Sequence, residues 1–174
     1  MKILLVNVDS NWNMAIRKIY QYCLGKEYEV DMIDIGFHGY PHKKKKIIDA
    51  KGYDQVFVSN IFEINKNNVI IKNCDHVRYG GIGSRNELSK LPERIEKTKP
   101  FYFPDENISY GFITRGCIRN CWFCKVPKCE GKLKEYNKVQ DIVRGVSNFN
   151  TVFSLSTMIT FFLRLISSKL YRSP

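Results

Sequence analysis

The chain has 174 residues, of which 44% are hydrophobic, 13% aromatic and 26% charged. That length excludes a large multidomain enzyme, and that composition excludes wholesale disorder, collagen-like repeats and a multi-span membrane protein. The formal charge is +11 and uneven: residues 117–174 hold 10 basic and 3 acidic side chains and carry +7 of it. Such an excess attracts RNA or an anionic small molecule, but a basic surface that serves solubility is the stronger reading, so nucleic acid is a possible partner that charge alone does not favour.

The N-terminal run Met1 to Asp9 has one positive charge and a short apolar stretch ended by Asp9, with no small-residue cleavage site after it; it reads as a first β-strand over 2–8 and not as a signal peptide. Ile16, Ile19, Tyr20, Cys23 and Leu24 then recur at helical spacing, giving one apolar helix face that Gly25 ends. A second strand is expected over 28–35. The lysine run at 43–46 follows the turn-rich Gly39-Tyr40-Pro41-His42 and is expected in a solvated loop or at the start of a helix. A third strand over 54–60 follows, with further strand pieces at 69–71 and 77–79. The last of these runs into Gly80-Gly81-Ile82-Gly83-Ser84, either a bend at the ligand edge of the sheet or a loop that needs positive φ. Alternating strands and helices define the fold class as α/β, with a Rossmann-like parallel sheet at the N-terminus.

Pro92, Pro100 and Pro104 mark a linker over 91–107. Residues 108–114 read as a strand leading into Arg115-Gly116-Cys117-Ile118-Arg119-Asn120-Cys121-Trp122-Phe123-Cys124. Three cysteines spaced C-x3-C-x2-C are close enough on one loop to converge on a soft or borderline metal, zinc or an iron–sulfur cluster. A structural zinc site needs four protein ligands, which would make Cys129 the fourth; a cubane held by three cysteines leaves one iron open. Six cysteines with no secretory signal point to a reducing compartment, the cytoplasm by default. Cys23 reads as a small buried hydrophobe on the helix face, and Cys74 with His76 as a weak metal pair.

The C-x3-C-x-aromatic-C loop after a strand, with Phe123 as the aromatic, resembles the radical S-adenosylmethionine (radical SAM) superfamily. The stretches around Gly80–Gly83, Leu91-Pro92-Glu93 and Tyr110–Cys117 are similar to members that carry an N-terminal cobalamin-binding-like domain, so the resemblance spans about residues 1–145. It implies a 4Fe-4S cluster on Cys117, Cys121 and Cys124, SAM chelating the fourth iron, and an adenine contact at Phe123. It also implies an electron donor and reductive cleavage of SAM to a 5′-deoxyadenosyl radical. The cobalamin motif D-x-H-x-x-G is replaced by Asp9-Ser10-Asn11-Trp12-Asn13-Met14, which removes the usual corrinoid ligand, although some members bind cobalamin without that histidine.

The family's catalytic domain is an α/β barrel of several strand–helix units, whereas 50 residues follow Cys124. The expected organisation is therefore a cobalamin-binding-like domain at 1–90, the linker at 91–107, the first strand, cluster loop and helix of an incomplete barrel at 108–147, and a divergent or truncated C-terminus at 148–174. Residues 145–163 lack charge but only ten of these 19 are apolar, a poor membrane span. Two other readings stay open: a zinc-stabilised nucleic-acid-binding module using Cys117, Cys121, Cys124 and Cys129, and a Rossmann-like small-molecule binder with a vestigial cysteine loop.

Overall fold

The structure, a computed structural model, describes residues 1–9, 13–36, 45–84, 91–104, 106, 108–119, 121–124 and 126–142, and the backbone of 150–154 and 163–166. The turn at 39–42, His38, Lys43 and Lys44, and the end of the helix expected at 138–144 lie outside the described residues. The chain divides into two compact units, Met1–Tyr102 and Phe103–Pro174.

The first unit opens with β1 (Lys2–Asn7), α1 (Met14–Leu24) and β2 (Glu29–Asp34), followed by β3 (Lys46–Asp49), β4 (Gln55–Ser59), β5 (Val69–Lys72), β6 (Val77–Gly80) and the short helix α2 (Glu93–Glu96). Four strands form one parallel sheet in the order β2-β1-β4-β6, a Rossmann-like α/β arrangement. Alternation along β1 distributes its side chains between two cores. Ile3 and Leu5 pack with Ile16, Ile19 and Cys23 of α1 and Ile95 of α2, whereas Leu4, Val6 and Val8 pack with Val56, Val58, Ile48 and Val69. Burial of this kind pushes the Cys23 thiol pKa up, as desolvation of a potential thiolate must.

The second core differs from the expectation of a helix after the lysine run. Lys46–Asp49 is a strand, β3, paired in parallel with β5, and this two-stranded sheet covers the face of the main sheet opposite α1. The β-branched pair Ile47-Ile48 suits a pleated surface, and Ile48 is buried while Ile47 faces out.

Helix α1 begins at Asn13, whose Oδ1 accepts the Ile16 N–H at 3.3 Å, and its chain leaves the helical path after Gly25 donates to Gln21 O. Ile16, Ile19 and Cys23 are buried as the periodicity requires; Leu24, expected on the same face, is exposed. The first part of the stretch expected as a linker is held onto α1. Ile95 is buried, Arg17 donates to Phe101 O at 3.1 Å, Lys18 pairs with Glu96, and Tyr20 meets Phe101 with ring centroids 4.6 Å apart. The cations on α1 are thus buried because each reaches a carbonyl or carboxylate on this segment.

Strand order reverses between β1 and β4, and at their C-terminal ends the polar side chains bond to one another. Asn13 Nδ2 donates to Asn7 Oδ1 (3.1 Å) and Ser59 Oγ (2.8 Å). Asp9, fully buried, accepts the N–H groups of Ile61 (2.8 Å) and Phe62 (2.9 Å) and the Asn65 amide (2.8 Å). The glycine cluster closes over this loop: Gly81 has φ +92°, and a Cβ there would stand 2.2 Å from Asn60 O. Positive φ and close backbone approach together account for glycine at that position.

The second unit contains β7 (Ile108–Phe112), β8 (Thr114–Arg115), α3 (Val126–Glu130), β9 (Lys134–Glu135), α4 (Val139–Ile142), β10 (Asn150–Ser154) and β11 (Leu163–Ile166). β7 and β10 pair in parallel, with buried Ile142 of α4 packed against Gly111 of β7; β11 adds to β10 in the antiparallel sense. No helix among the described residues is long and apolar enough to cross a membrane.

Replacing Asp9 with Ala removes the acceptor of three donors at once, the buried Asn65 amide and the part-buried Ile61 and Phe62 N–H groups. Stability of the first unit should fall by about 3 kcal/mol, read as a lowered urea midpoint at unchanged slope; an unchanged midpoint would contradict the role given to this carboxylate.

Candidate metal centre

Residues 116–133 leave the sheet as one excursion between β8 and β9, which pair in antiparallel fashion through Thr114 with Glu135 and Arg115 with Lys134. The base of the excursion is closed again by Tyr136 N–H on Ile113 O at 2.9 Å and by the Asn137 side chain on Phe112 O at 2.9 Å. Inside it, the Glu130 carboxylate spans the two ends of the loop. One oxygen accepts Arg115 Nη2 at 3.1 Å and the other accepts the Gly116 N–H at 3.0 Å. The Arg115 guanidinium also lies 5.1 Å from the Tyr136 ring centroid and 5.6 Å from that of Phe112.

Gly116 has φ +86°, and a Cβ there would stand 2.2 Å from Lys132 O, so the returning chain passes where any other residue would carry its side chain. The next residue is Cys117. Its N–H donates to Gly131 O at 3.2 Å, its side chain is buried, and its Sγ accepts the Arg119 N–H at 3.3 Å. Cys121 and Cys124 are half-buried and joined by a turn in which Cys124 N–H donates to Cys121 O at 3.1 Å. Cys129 is half-buried on α3. None of these four is in a disulfide.

The loop presents apolar side chains outward. Ile118 is 75% exposed, Trp122 87% and Phe123 64%, and the Trp122 and Phe123 rings meet edge to face at 5.6 Å.

The sequence-predicted ligands Cys117, Cys121 and Cys124 therefore share one clasped loop, but their sulfur atoms are not gathered at a point. Among the described residues no group of three or more His, Cys, Asp or Glu side chains is close enough to hold a metal ion. The four-cysteine zinc arrangement with Cys129 gains no support from the geometry, and Cys74 lies by the Tyr53 carbonyl with no metal-binding group formed around it among the described residues. The donor set itself fits an iron–sulfur cluster: three thiols outside any disulfide on one loop, with a backbone N–H already directed at one sulfur.

Sequence reasoning missed Glu130. Its signal was present, because it is the sole acidic residue between Cys117 and Lys134 amid four basic ones. Charge counting treated it as background, and only the fold shows that it reaches back to Arg115-Gly116.

The chain is similar over 64 residues to the ribosomal protein uS12 methylthiotransferase RimO of three Prochlorococcus marinus strains, AS9601, MIT 9301 and MIT 9215, with 42% identity in each case. The match takes in 36% of this chain and 14% of the length of each relative. No family model matches the chain, and no solved structure matches it.

Substituting Gly116 with Ala places a methyl group against the Lys132 carbonyl in an unfavourable backbone region. The expected outcome is an opened clasp, seen as faster hydrogen exchange at the Cys117 amide; protection equal to the unsubstituted chain would show that the Lys132 backbone yields without cost.

Proposed function

We propose that this chain is a radical SAM protein, or the part of one that binds a 4Fe-4S cluster through Cys117, Cys121 and Cys124 and presents it to S-adenosylmethionine. The observation that carries the proposal is the clasped three-cysteine loop following β7, a strand whose parallel neighbour β10 comes after an intervening helix, α4. Functional groups on parallel α/β sheets cluster beyond the C-terminal ends of the strands, which is where this loop emerges. The partial similarity to a radical SAM methylthiotransferase supports the same reading.

Cys117, Cys121 and Cys124 would hold the cluster, and its chemistry would be the transfer of one electron, taken from an external donor, to SAM, giving methionine and a 5′-deoxyadenosyl radical able to take a hydrogen atom from a substrate. The residues of the chain do the rest. Cys117 offers a thiolate already fixed by its N–H and sulfur hydrogen bonds. Cys121 and Cys124, on the neighbouring turn, would supply the other two thiolates. Phe123, next to Cys124, would line the approach to the cluster and contact adenine through its backbone, as the resemblance implies. Ile118 and Trp122 provide apolar surface that keeps water from the cluster, an environment that also tunes its potential. Cobalamin is not part of the proposal, because the motif that would carry its histidine is replaced by Asp9-Ser10-Asn11-Trp12-Asn13-Met14.

Anaerobic reconstitution with iron and sulfide should give a brown protein holding about four irons per chain, a load that Cys117→Ala, Cys121→Ala or Cys124→Ala abolishes and Cys129→Ala leaves unchanged. Stoichiometric zinc without iron, lost on replacing Cys129, would overturn the proposal in favour of a closed four-thiolate site. On reduction with dithionite in the presence of SAM, the loaded chain should release 5′-deoxyadenosine slowly. Chromatography checks this, and complete absence of the product together with an unperturbed cluster spectrum on adding SAM would contradict SAM binding.

A further inference from the structure

We infer that Glu130 is a positioning residue for the metal centre: by bridging Arg115 and the Gly116 N–H it fixes Cys117 as the preformed ligand onto which Cys121 and Cys124 later close. The inference rests on the cluster reading above and deepens it by naming what prepares the site.

The three cysteines are not equivalent. Cys117 is buried, its amide is bonded to Gly131 O, and its sulfur receives an N–H from Arg119. Cys121 and Cys124 are half-buried, with their turn hydrogen bond between themselves and their sulfurs not gathered with that of Cys117. The difference traces to the loop's closure. Glu130 and Gly131 are consecutive, so the carboxylate of one and the carbonyl of the other bind three consecutive residues at the loop's start: Arg115 by its guanidinium, Gly116 and Cys117 by their amides. Glu130's side chain is only 16% exposed, so its two bonds are shielded from competing water.

The carboxylate is suited to this task in a way its isosteres are not. Two donors converge on it from different directions, and a carboxylate offers two acceptor oxygens and no donor. A glutamine would keep the size but turn an N–H₂ toward either a guanidinium or an amide N–H. An aspartate would keep both acceptors on a shorter arm. Outer-sphere partners that orient ligands typically alter metal affinity by 10- to 100-fold when removed, which sets the scale expected here.

The test uses the full chain with cobalt(II) alone as the probe, titrated anaerobically and followed by thiolate-to-cobalt charge-transfer absorption, alongside iron content after reconstitution. Glu130→Ala and Glu130→Gln should each weaken cobalt binding by about tenfold and slow iron incorporation, with Glu130→Asp recovering more than Glu130→Gln. The reduction potential of whatever cluster forms should also shift in Glu130→Gln, since the amide bonded to the Cys117 sulfur belongs to the loop that Glu130 orders. Should Glu130→Ala fail to fold, as judged by its urea transition, the isosteric Glu130→Gln carries the comparison. Cobalt affinity and potential unchanged in Glu130→Gln, in a chain whose unsubstituted form loads normally, would overturn the inference while leaving the cluster reading intact. An unsubstituted chain that takes up neither cobalt on its thiolates nor iron would overturn both.

Discussion

Three thiolates can serve one metal centre only if the backbone that carries them turns back on itself and stays there, and in this chain that constraint falls on Glu130. A loop of this length closes at an entropic cost that a two-residue strand pair such as β8 and β9 offsets poorly. The carboxylate adds a half-buried ion pair to Arg115 and a charge-assisted bond to the Gly116 N–H, the stronger classes of hydrogen bond. Gly116 completes the arrangement by letting the Lys132 carbonyl pass where a side chain would otherwise be. Cys117 is tied directly into these contacts, whereas Cys121 and Cys124 are half-buried on the turn beyond them.

The first unit solves a different problem with the same economy of polar groups. A parallel sheet brings strand ends and loops together at one edge, and the backbone amides there need partners. Asp9 satisfies two amides and an asparagine from the connection after β4, and Asn13 caps α1 while bonding Asn7 and Ser59. Those groups stand at the place where Rossmann-like sheets hold ligands, and here they hold one another. The covering layers are unequal. Helices α1 and α2 close one face, while the small β3-β5 sheet closes the other, so that a doubly wound pattern is present in strand order but not in the layer behind it.

Much of this was legible in the amino-acid sequence. The strands β1, β2 and β4 and the buried face of α1 follow from apolar periodicity, which registers burial directly, and five of the six strands of the first unit lie within a residue or so of where the pattern put them. The exception, β3, lies at the end of a lysine run whose charge obscured the β-branched Ile47-Ile48. Segment 91–102 read as a linker because prolines and charges dominate it; what ties it down is Arg17 and Lys18, cations that periodicity assigns to solvent and that the fold buries against carbonyl and carboxylate oxygens. The cysteine loop was visible through its spacing, but its clasp was not, since the bond from Glu130 to Gly116 joins residues 14 apart through a backbone amide that no spacing rule reads.

The central claim is that Cys117, Cys121 and Cys124 hold a cluster with one iron left open to S-adenosylmethionine. Electron paramagnetic resonance of the reconstituted, reduced chain, recorded with and without SAM labelled with nitrogen-15 at its amino group, addresses it most directly. The account predicts a reduced 4Fe-4S signal whose shape changes when SAM is added and which shows magnetic coupling to the labelled nitrogen. A cluster signal indifferent to SAM and free of that coupling, or a chain that carries only zinc, would contradict it.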